Sequence, residues 1–434
     1  MKKKVLSFLF LLLLSAMLNA ASIIGEKPEN PFPSVENLAY FDFLNGDDSY
    51  KDYQFNILVT KEGDDLYTQF GHCGLEVITP NGSHFVCDWG VFIFGYDFYF
   101  NFMKGKLFYR MKISPLSYSL RKSAREERDL ERLPLVISDN AKRPLVDFIE
   151  YNNLPENTTY LYDFYFDNCA TRIRDIYNAT TNDDFKLWAE GQDTGLTLRQ
   201  LSNTHLSSRP LTLWVLNYLE GNMVDEKASL YDALFLPMYL EDAIARYQGN
   251  EPVNIASYKD RGGALEYTPV LPTLFSILLS ALFLFAFKKS RRFYSLLLFI
   301  LSLFLFALSS VLTFLMFFSM HSCTYFNENL IVLNPTVFFV TISSFRTILK
   351  KERSLYRVKG YFILLSIISV LLLALKLILP NVFYQDNLEI VIPLLVFFLF
   401  QALTLRKEKP RSKMEVAFTN SNRSYFTIFV PASL

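Results

Sequence analysis

The residues of this chain best suited to chemistry are one histidine and one cysteine that lie far apart in the sequence. His72 follows Gly71 at the start of a predicted strand, and Cys169 follows Asn168 at the start of a predicted helix. A thiolate is a nucleophile, and a histidine on a facing strand takes the thiol proton and returns it to a leaving group. The pair therefore predicts acyl chemistry through a cysteine thioester. Either residue alone is more often structural, so the prediction depends on their joint context.

The cysteine is predicted to lie in the first turn of its helix. Asp167 and Asn168 are residue types that cap helix N termini, and the residues from Ala170 onward have helical periodicity. Backbone N–H groups and the helix dipole at this position favour a thiolate, and the same N–H groups can stabilise an oxyanion. The side chains predicted to face inward are Ile173, Ile176 and Tyr177.

A β-hairpin is predicted to place an aspartate beside the histidine. Gly74–Ile78 and His84–Trp89 have the pattern of two strands around the turn signal Pro80-Asn81-Gly82. A three-residue loop places Asp88 on the same face as His72, one step away diagonally, where its carboxylate can orient the imidazole. A two-residue loop would turn Asp88 to the other face. The predicted catalytic residues are Cys169, His72 and Asp88.

The order of the chain predicts an exported domain followed by membrane helices. Residues 1–21 have the charged start, apolar run and small residues typical of a signal peptide, with an uncleaved first transmembrane helix as the alternative. Residues 22–268 are predicted to form the exported catalytic domain, residues 269–405 a transmembrane domain, and residues 406–434 a cytoplasmic tail. Both readings of the N terminus export the catalytic domain.

Five apolar runs are each near the length needed to cross a bilayer. The loops after the first, third and fifth runs are rich in Lys and Arg, and the two alternate loops contain neither. Because positive loops stay in the cytoplasm, this pattern places the catalytic domain outside. The predicted spans are Val270–Phe287, Tyr294–Phe318, Leu330–Leu349, Tyr361–Leu379 and Leu388–Leu405.

The composition excludes some functions and leaves one question about cysteine open. The formal net charge of zero gives no indication of nucleic-acid binding, and the four histidines have no metal-ligand spacing, so neither a metal nor a cofactor is predicted. Cys73 and Cys87 are candidates for a disulfide across one hairpin, whereas Cys169 is better explained as a free thiol.

Two further stretches have less specific patterns. Val91–Tyr109 is rich in aromatic residues with Lys104 and Lys106 among them. Core packing and contact with the lipid interface explain this composition equally well. Pro134–Asn153 and Ile173–Tyr247 are predicted to be helical.

The sequence resembles the Bacteroidota-type lipoprotein N-acyltransferases (Lnb), whose exported domain is related to permuted papain-like folds such as the NlpC/P60 and lecithin:retinol acyltransferase groups. In that permuted order the strand histidine precedes the helix cysteine. Two positions depart from the usual family pattern: Cys73 replaces a serine, and Cys87-Asp88-Trp89-Gly90 replaces Tyr-x-Tyr-Gly. The matching motifs are Gly71-His72, Lys104-Gly105-Lys106-Leu107, Tyr162-Asp163-Phe164, Asp167-Asn168-Cys169 with Thr171-Arg172, Phe235-Leu236-Pro237, His321, and Asn327-Glu328-Asn329-Leu330 running to Asn334-Pro335.

The resemblance implies an α+β fold, with a permuted papain-like extracytoplasmic domain followed by an all-α domain of five transmembrane helices in the bacterial inner membrane. It also implies that Cys169 takes an acyl chain from a membrane phospholipid and passes it to the N-terminal amine of a diacylated apolipoprotein, with His72 as the base. Arg172 is a candidate to hold the donor phosphate, with an ion pair to Asp163, Asp167 or Asp175 as its alternative. His321, Asn327 and Asn329 are candidates to line the acceptor site.

Three rival functions fit the same residues. A membrane-anchored cysteine peptidase or amidase acting on cell-wall peptides would use the same dyad, although five spans exceed what an anchor requires. A phospholipase would share the first half-reaction, with water as the acceptor. A sensor with an exported domain is disfavoured because the cytoplasmic loops are short and the tail has no effector domain.

Overall fold

The computed structural model describes residues 35–92, 95, 98–258, 268–349 and 355–409. The predicted signal peptide and most of the predicted cytoplasmic tail lie outside the described residues. The described chain divides into two compact units. The first consists of residues 35–258 and 314–327, and the second consists of residues 268–313 and 328–409.

Antiparallel strands form the framework of the first unit. In the described part of the chain, seven strands form one sheet with the order β6-β4-β3-β2-β1-β5-β9, and β7 pairs with β8 separately. The nine strands are β1 (Gln54–Thr60), β2 (His72–Ile78), β3 (His84–Val91), β4 (Phe108–Pro115), β5 (Leu130–Pro134), β6 (Thr159–Leu161), β7 (Asp193–Thr197), β8 (Lys227–Ser229) and β9 (Val253–Ala256).

The register of the β2–β3 hairpin is the one that the sequence predicts for a three-residue loop. Ile78 pairs with His84 and Leu75 with Cys87, and Gly82 adopts a φ of +79° in the loop. A left-handed φ is readily accessible to glycine because it has no Cβ. The register brings the end of β3 beside the start of β2, on the side that Asp88 and His72 share.

Helices cover the sheet of the first unit, and the helix that begins at Cys169 packs directly against β2. Ile173, Ile176 and Tyr177 are all buried, as predicted, and each aliphatic side chain buried in this way contributes about 1.5–3 kcal/mol. The helices are α1 (Phe98–Met103), α2 (Leu116–Glu126), α3 (Asp139–Asn152), α4 (Cys169–Thr180), α5 (Asp184–Glu190), α6 (Leu198–Thr204), α7 (Pro210–Leu219), α8 (Leu230–Ala233) and α9 (Pro237–Gln248).

Two helical predictions were too broad. Ile173–Tyr247 does not form continuous helix, because β7 and β8 interrupt it and pair with each other, as at Asp193 and Ser229. The predicted helix Pro134–Asn153 begins only at Asp139, the first residue of α3, because Pro134 is the last residue of β5. Pairing between distant segments overrides local helical preference in both places.

The second unit is helical. Four apolar segments of the described chain are long enough to cross a membrane when Asn329–Ile348 is counted as one, and Leu388–Thr404 is a shorter apolar helix. The number of passes therefore stays a prediction. The helices are α10 (Leu271–Lys289), α11 (Arg291–Phe318), α12 (Asn329–Val332), α13 (Phe338–Ile348), α14 (Tyr356–Ile378) and α15 (Leu388–Thr404).

Candidate active site

The cap of α4 fixes Cys169 as the first residue of that helix. The side-chain oxygen of Asn168 accepts from the backbone N–H groups of Ala170 (2.8 Å) and Thr171 (3.0 Å). The Thr171 hydroxyl accepts from the Asn168 N–H at 2.7 Å, which completes a capping box. The cap therefore uses the second and third N–H groups of the helix. The N–H of Cys169 itself is left as the first-turn donor for an oxyanion, so the expectation of several such donors was too generous.

A second hydrogen-bond pair holds the loop in front of Cys169. The Asn168 amide donates to the carbonyl oxygens of Phe164 at 2.7 Å and Phe235 at 2.9 Å. Asn168 is buried, so these bonds are shielded from water. Because Phe235 lies two residues before the start of α9, Asn168 ties α4 to a distant segment of the domain.

His72 is the first residue of β2, and a glycine on each side makes room for it. Gly71 has a φ of +73°, and a Cβ there would lie 3.1 Å from the carbonyl oxygen of Thr60. A Cβ at Gly90 would lie 2.3 Å from His72 Cε1, so a larger residue would displace the imidazole. The requirement for glycine at position 90 was not anticipated from the sequence, although this residue lies only two positions after Asp88.

Asp88 contacts the imidazole as the predicted register requires. His72 Nε2 lies 2.9 Å from Asp88 Oδ1, and the same oxygen accepts from the Gly90 N–H at 2.7 Å. Partial burial would raise the pKa of Asp88, but the charge and hydrogen bond of His72 hold that pKa below its usual range. Asp88 therefore stays a carboxylate that orients the ring and stabilises its protonated form.

The Cys169 thiol lies beside the side chains of His72 and Cys73, and both lower its pKa. Because Nε2 of the imidazole engages Asp88, we infer that Nδ1 faces the sulfur. Cys73 is fully buried at the second position of β2. It directly follows the histidine in the sequence, and that adjacency is the signal that could have identified it.

The electrostatics of this cluster favour a thiolate–imidazolium pair. The hydrogen bond from Cys73 is the strongest influence on Cys169. Together with the charge of His72 it outweighs burial and holds the pKa of the Cys169 thiol well below its usual range. Burial alone would lower the pKa of His72, but the charges of Asp88 and Cys169 raise it to about 10. Burial raises the pKa of Cys73, which therefore stays protonated and can donate.

Aromatic side chains form a wall beside the sulfur. The rings of Tyr109 and Tyr162 stack with centroids 4.2 Å apart. Burial, and then the nearby charge of Cys169, raise the pKa of Tyr109 to about 12. Burial, and then the charges of Tyr109 and Cys169, hold the pKa of Tyr162 well above its usual range. Both phenols therefore stay neutral beside Cys169.

Arg172 is engaged elsewhere. Its guanidinium makes a bidentate pair with Asp167 at 2.6 and 2.8 Å and lies 4.0 Å from the centroid of the Tyr160 ring. The side chain is 1% exposed. The ion pair named as the alternative is therefore the one formed, and a phosphate-binding role for Arg172 does not fit this burial.

The other predicted binding residues make hydrogen bonds to groups outside the dyad. In the first unit, the His321 ring donates to the Phe102 carbonyl at 2.6 Å. The Asn327 amide donates to the carbonyl oxygens of Tyr218 and Leu219 at the end of α7. Asn329 lies buried in the second unit, where it accepts a hydrogen bond from Asn387 at 2.9 Å. Asn327 and Asn329 thus make structural contacts in separate units.

All four cysteines are free thiols in the structure, so the suspected bridge between Cys73 and Cys87 is not formed. Cys87 is buried in the sheet opposite Leu75, whereas the Cys73 thiol is directed to Cys169. Within the described ranges, no group of three or more His, Cys, Asp or Glu side chains is arranged to hold a metal ion.

Comparison with known proteins gave two family matches. Residues 42–204 match the Lnb N-terminal periplasmic domain, and residues 263–410 match the Lnb transmembrane domain. Searches of curated proteins and of solved structures gave no match.

Proposed function

The chain belongs to the Lnb family and is a membrane protein with a periplasmic domain; from this premise we propose that it is a lipoprotein N-acyltransferase of the bacterial inner membrane. It moves an acyl chain from a membrane phospholipid, through a thioester on Cys169, to the N-terminal amine of a diacylglyceryl-cysteine lipoprotein. The observation that carries the proposal is the series Asp88–His72–Cys169 at the N terminus of α4, in which Asp88 contacts the imidazole at 2.9 Å and His72 lies beside the thiol.

In the first half-reaction, the Cys169 thiolate attacks the carbonyl carbon of a phospholipid ester. The negative charge moves to the carbonyl oxygen, which the Cys169 N–H can receive. The C–O bond to the glycerol oxygen then breaks, and His72 gives its proton to that oxygen as lysophospholipid leaves. The result is an S-acyl cysteine and a neutral imidazole held by Asp88.

In the second half-reaction, the lipoprotein amine attacks the thioester carbon. His72 accepts the amine proton, the C–S bond breaks, and the Cys169 thiolate is regenerated beside the imidazolium. The net reaction converts phospholipid and diacylated lipoprotein into lysophospholipid and triacylated lipoprotein. Tyr109 and Tyr162 support transfer to the amine over hydrolysis, because their stacked side chains beside Cys169 limit the access of water as the competing acceptor.

The membrane domain has a physical purpose in this reaction. Both substrates are anchored in the bilayer, so a catalyst that is tethered to the same surface meets them at a high effective concentration. The loop pattern of the sequence supports a periplasmic location for residues 22–268, where exported lipoproteins are available.

Mass spectrometry of a diacylated lipopeptide tests the proposal. The purified protein in phospholipid vesicles should add one acyl chain to the peptide amine and release an equal amount of lysophospholipid. Cys169→Ala should abolish both products, whereas Cys87→Ala, which removes a buried thiol that makes no bond to the dyad, should retain them.

The alternative products identify the rival functions. Free fatty acid without peptide acylation would indicate a phospholipase, and a cleaved cell-wall peptide would indicate a peptidase or amidase. Equal N-acylation by the wild type and Cys169→Ala would remove Cys169 as the nucleophile.

A further inference from the structure

The short helix α1 presents large apolar side chains to solvent. None of its six residues is buried. The exposed fractions are 75% for Tyr99, 57% for Phe100, 47% for Phe102 and 47% for Met103. A contiguous exposed patch of this kind on a folded domain marks a surface that contacts a partner or a membrane.

Lysines accompany the aromatic side chains of α1. The Lys104 ammonium lies 4.0 Å from the centroid of the Phe100 ring, and Lys106 follows two residues later. Aromatic rings belong at the level of lipid headgroups, and lysines there attract phosphate groups. This combination of aromatic residues and lysines fits a bilayer surface better than a protein–protein interface, because lysines are depleted from the centre of such interfaces.

Hydrogen bonds tie α1 to the end of a membrane span. The Met320 N–H donates to the Lys104 carbonyl at 2.9 Å, and the His321 ring donates to the Phe102 carbonyl at 2.6 Å. The contact is close, because a Cβ at Gly105 would lie 2.7 Å from the His321 backbone nitrogen. All these residues belong to the first unit. Phe318, two residues before Met320, is the last residue of α11, which is long and apolar enough to cross a membrane.

The sheet places α1 at the same end as the dyad. Strands β2 and β4 are both antiparallel to β3, so β2 begins at the end where β4 begins. His72 is the first residue of β2, and β4 starts five residues after α1 ends. Tyr109, the second residue of β4, stacks on Tyr162 beside Cys169. The chain from Met103 to Tyr109 spans at most about 20 Å when fully extended.

We propose that α1 inserts Tyr99, Phe100, Phe102 and Met103 into the headgroup region of the periplasmic leaflet and so seats the dyad end of the sheet on the bilayer. Lys104 and Lys106 bind lipid phosphate at the same level. The lipid contact itself is independent of acyl transfer, and only its benefit for delivering donor esters to Cys169 rests on the proposed function.

Photo-crosslinking in the full-length protein tests the lipid contact. The photoreactive residue p-benzoylphenylalanine replaces Tyr99 in vesicles of phosphatidylethanolamine and phosphatidylglycerol, and adducts are identified by mass spectrometry. Phe304, which is 56% exposed within α11, provides the positive control. Val136 provides the negative control, because it is 67% exposed and follows β5, whose C-terminal end lies opposite the dyad end of the sheet.

Phospholipid adducts at positions 99 and 304, with none at position 136, are the expected result. An adduct at 304 but none at 99 would overturn the proposal, as would a protein adduct at 99 or equal lipid adducts at 99 and 136. Because the readout is lipid contact rather than acyl transfer, it keeps its meaning if the proposed reaction proves wrong.

A double variant tests the benefit for catalysis. Tyr99→Ser with Phe100→Ser alters only exposed side chains, so folding should be little affected. Turnover of vesicle phospholipid, relative to turnover of a water-soluble short-chain thioester, should fall about tenfold, the effect of losing about 1.4 kcal/mol of membrane binding. An unchanged ratio would show that donor delivery does not depend on α1.

Discussion

The carboxylates of Asp88 and Asp167 each pair with a cation close to the N terminus of α4, but the two pairs differ in exposure and in what the cation can do. Arg172 is 1% exposed, bonds both oxygens of Asp167 and lies against Tyr160. His72 is 22% exposed and bonds Asp88 through one nitrogen only, which leaves the other for Cys169.

The difference separates a structural ion pair from a chemical one. A guanidinium keeps its proton at all relevant pH values, so the Arg172–Asp167 pair can only hold the loop before Cys169 in place. An imidazole exchanges its proton, and Asp88 sets how tightly that proton is held. Substitutions in the two pairs should therefore have opposite signatures, with activity lost in one and stability lost in the other.

Among substitutions in the two ion pairs, the largest loss of activity is expected from His72→Gln. Removal of the general acid–base group should lower the rate of lysophospholipid release by about 10²–10⁴-fold, the usual contribution of such a group. His84→Gln is the matched control, because His84 is on the adjacent strand and bonds Glu76 rather than the dyad. A His72→Gln rate close to that of His84→Gln would contradict the assignment of the base.

The second effect concerns the rate at which Cys169 is alkylated and how that rate depends on pH. In the wild type the thiol pKa is held well below its usual range while that of His72 is raised to about 10. The thiolate is therefore already formed at neutral pH, and alkylation by iodoacetamide should be nearly constant between about pH 6 and 8. An ordinary thiol, with a pKa of about 8.5, would react about tenfold faster for each pH unit in that range.

Asp88→Asn should break this pattern. Without the carboxylate the pKa of His72 falls, the imidazolium no longer persists, and the alkylation rate should rise with pH through the neutral range. The pH profile is the relevant readout because a general loss of structure would not convert a flat profile into a rising one. A flat profile in Asp88→Asn would exclude Asp88 as the orienting residue.

Arg172→Met is expected to act on stability. It leaves Asp167, which is 18% exposed, without its cation, and the cost should approach the roughly 3–5 kcal/mol that breaking a fully buried pair costs. The midpoint of chemical denaturation should fall accordingly, whereas the folded fraction should keep the flat alkylation profile of the wild type. A selective loss of phospholipid turnover at unchanged stability would instead restore the phosphate-binding role for Arg172.

The smallest effect is expected at Cys73, because the charge of His72 still lowers the pKa of Cys169 when the Cys73 thiol is removed. Cys73→Ala removes the hydrogen bond that most strongly lowers the pKa of Cys169, so the alkylation rate at pH 6 should fall several-fold. Cys73→Ser keeps a donor at this position and should recover most of the rate. Equal rates in the two variants would show that Cys73 only packs against the nucleophile.

The sequence was informative where the chemistry depends on neighbours along the chain. The cap at Asn168 and the loop at Pro80-Asn81-Gly82 each follow from local residue preferences, and that loop determines the register that brings Asp88 to His72. Local preference also predicts an apolar helix within each of the five spans.

Contacts between distant segments were not predictable in the same way. Strand β6 has only three residues and forms by pairing with β4, so its own sequence pattern is too short to predict a strand. The hydrogen bond from His321 to Phe102 joins residues more than two hundred positions apart. The burial of Arg172 depends on Tyr160 and Asp167 together, and a sequence gives residue types but not the direction of a side chain.

The acyl-enzyme itself offers the most direct test of the central claim. The full-length protein is incubated with phospholipid vesicles without any lipoprotein acceptor, and its intact mass and peptides are then measured. We predict one added acyl chain on Cys169, released by neutral hydroxylamine and absent in Cys169→Ala, with one lysophospholipid formed per acylated protein. Lysophospholipid formation without an adduct at Cys169, or an adduct at another residue, would contradict this prediction.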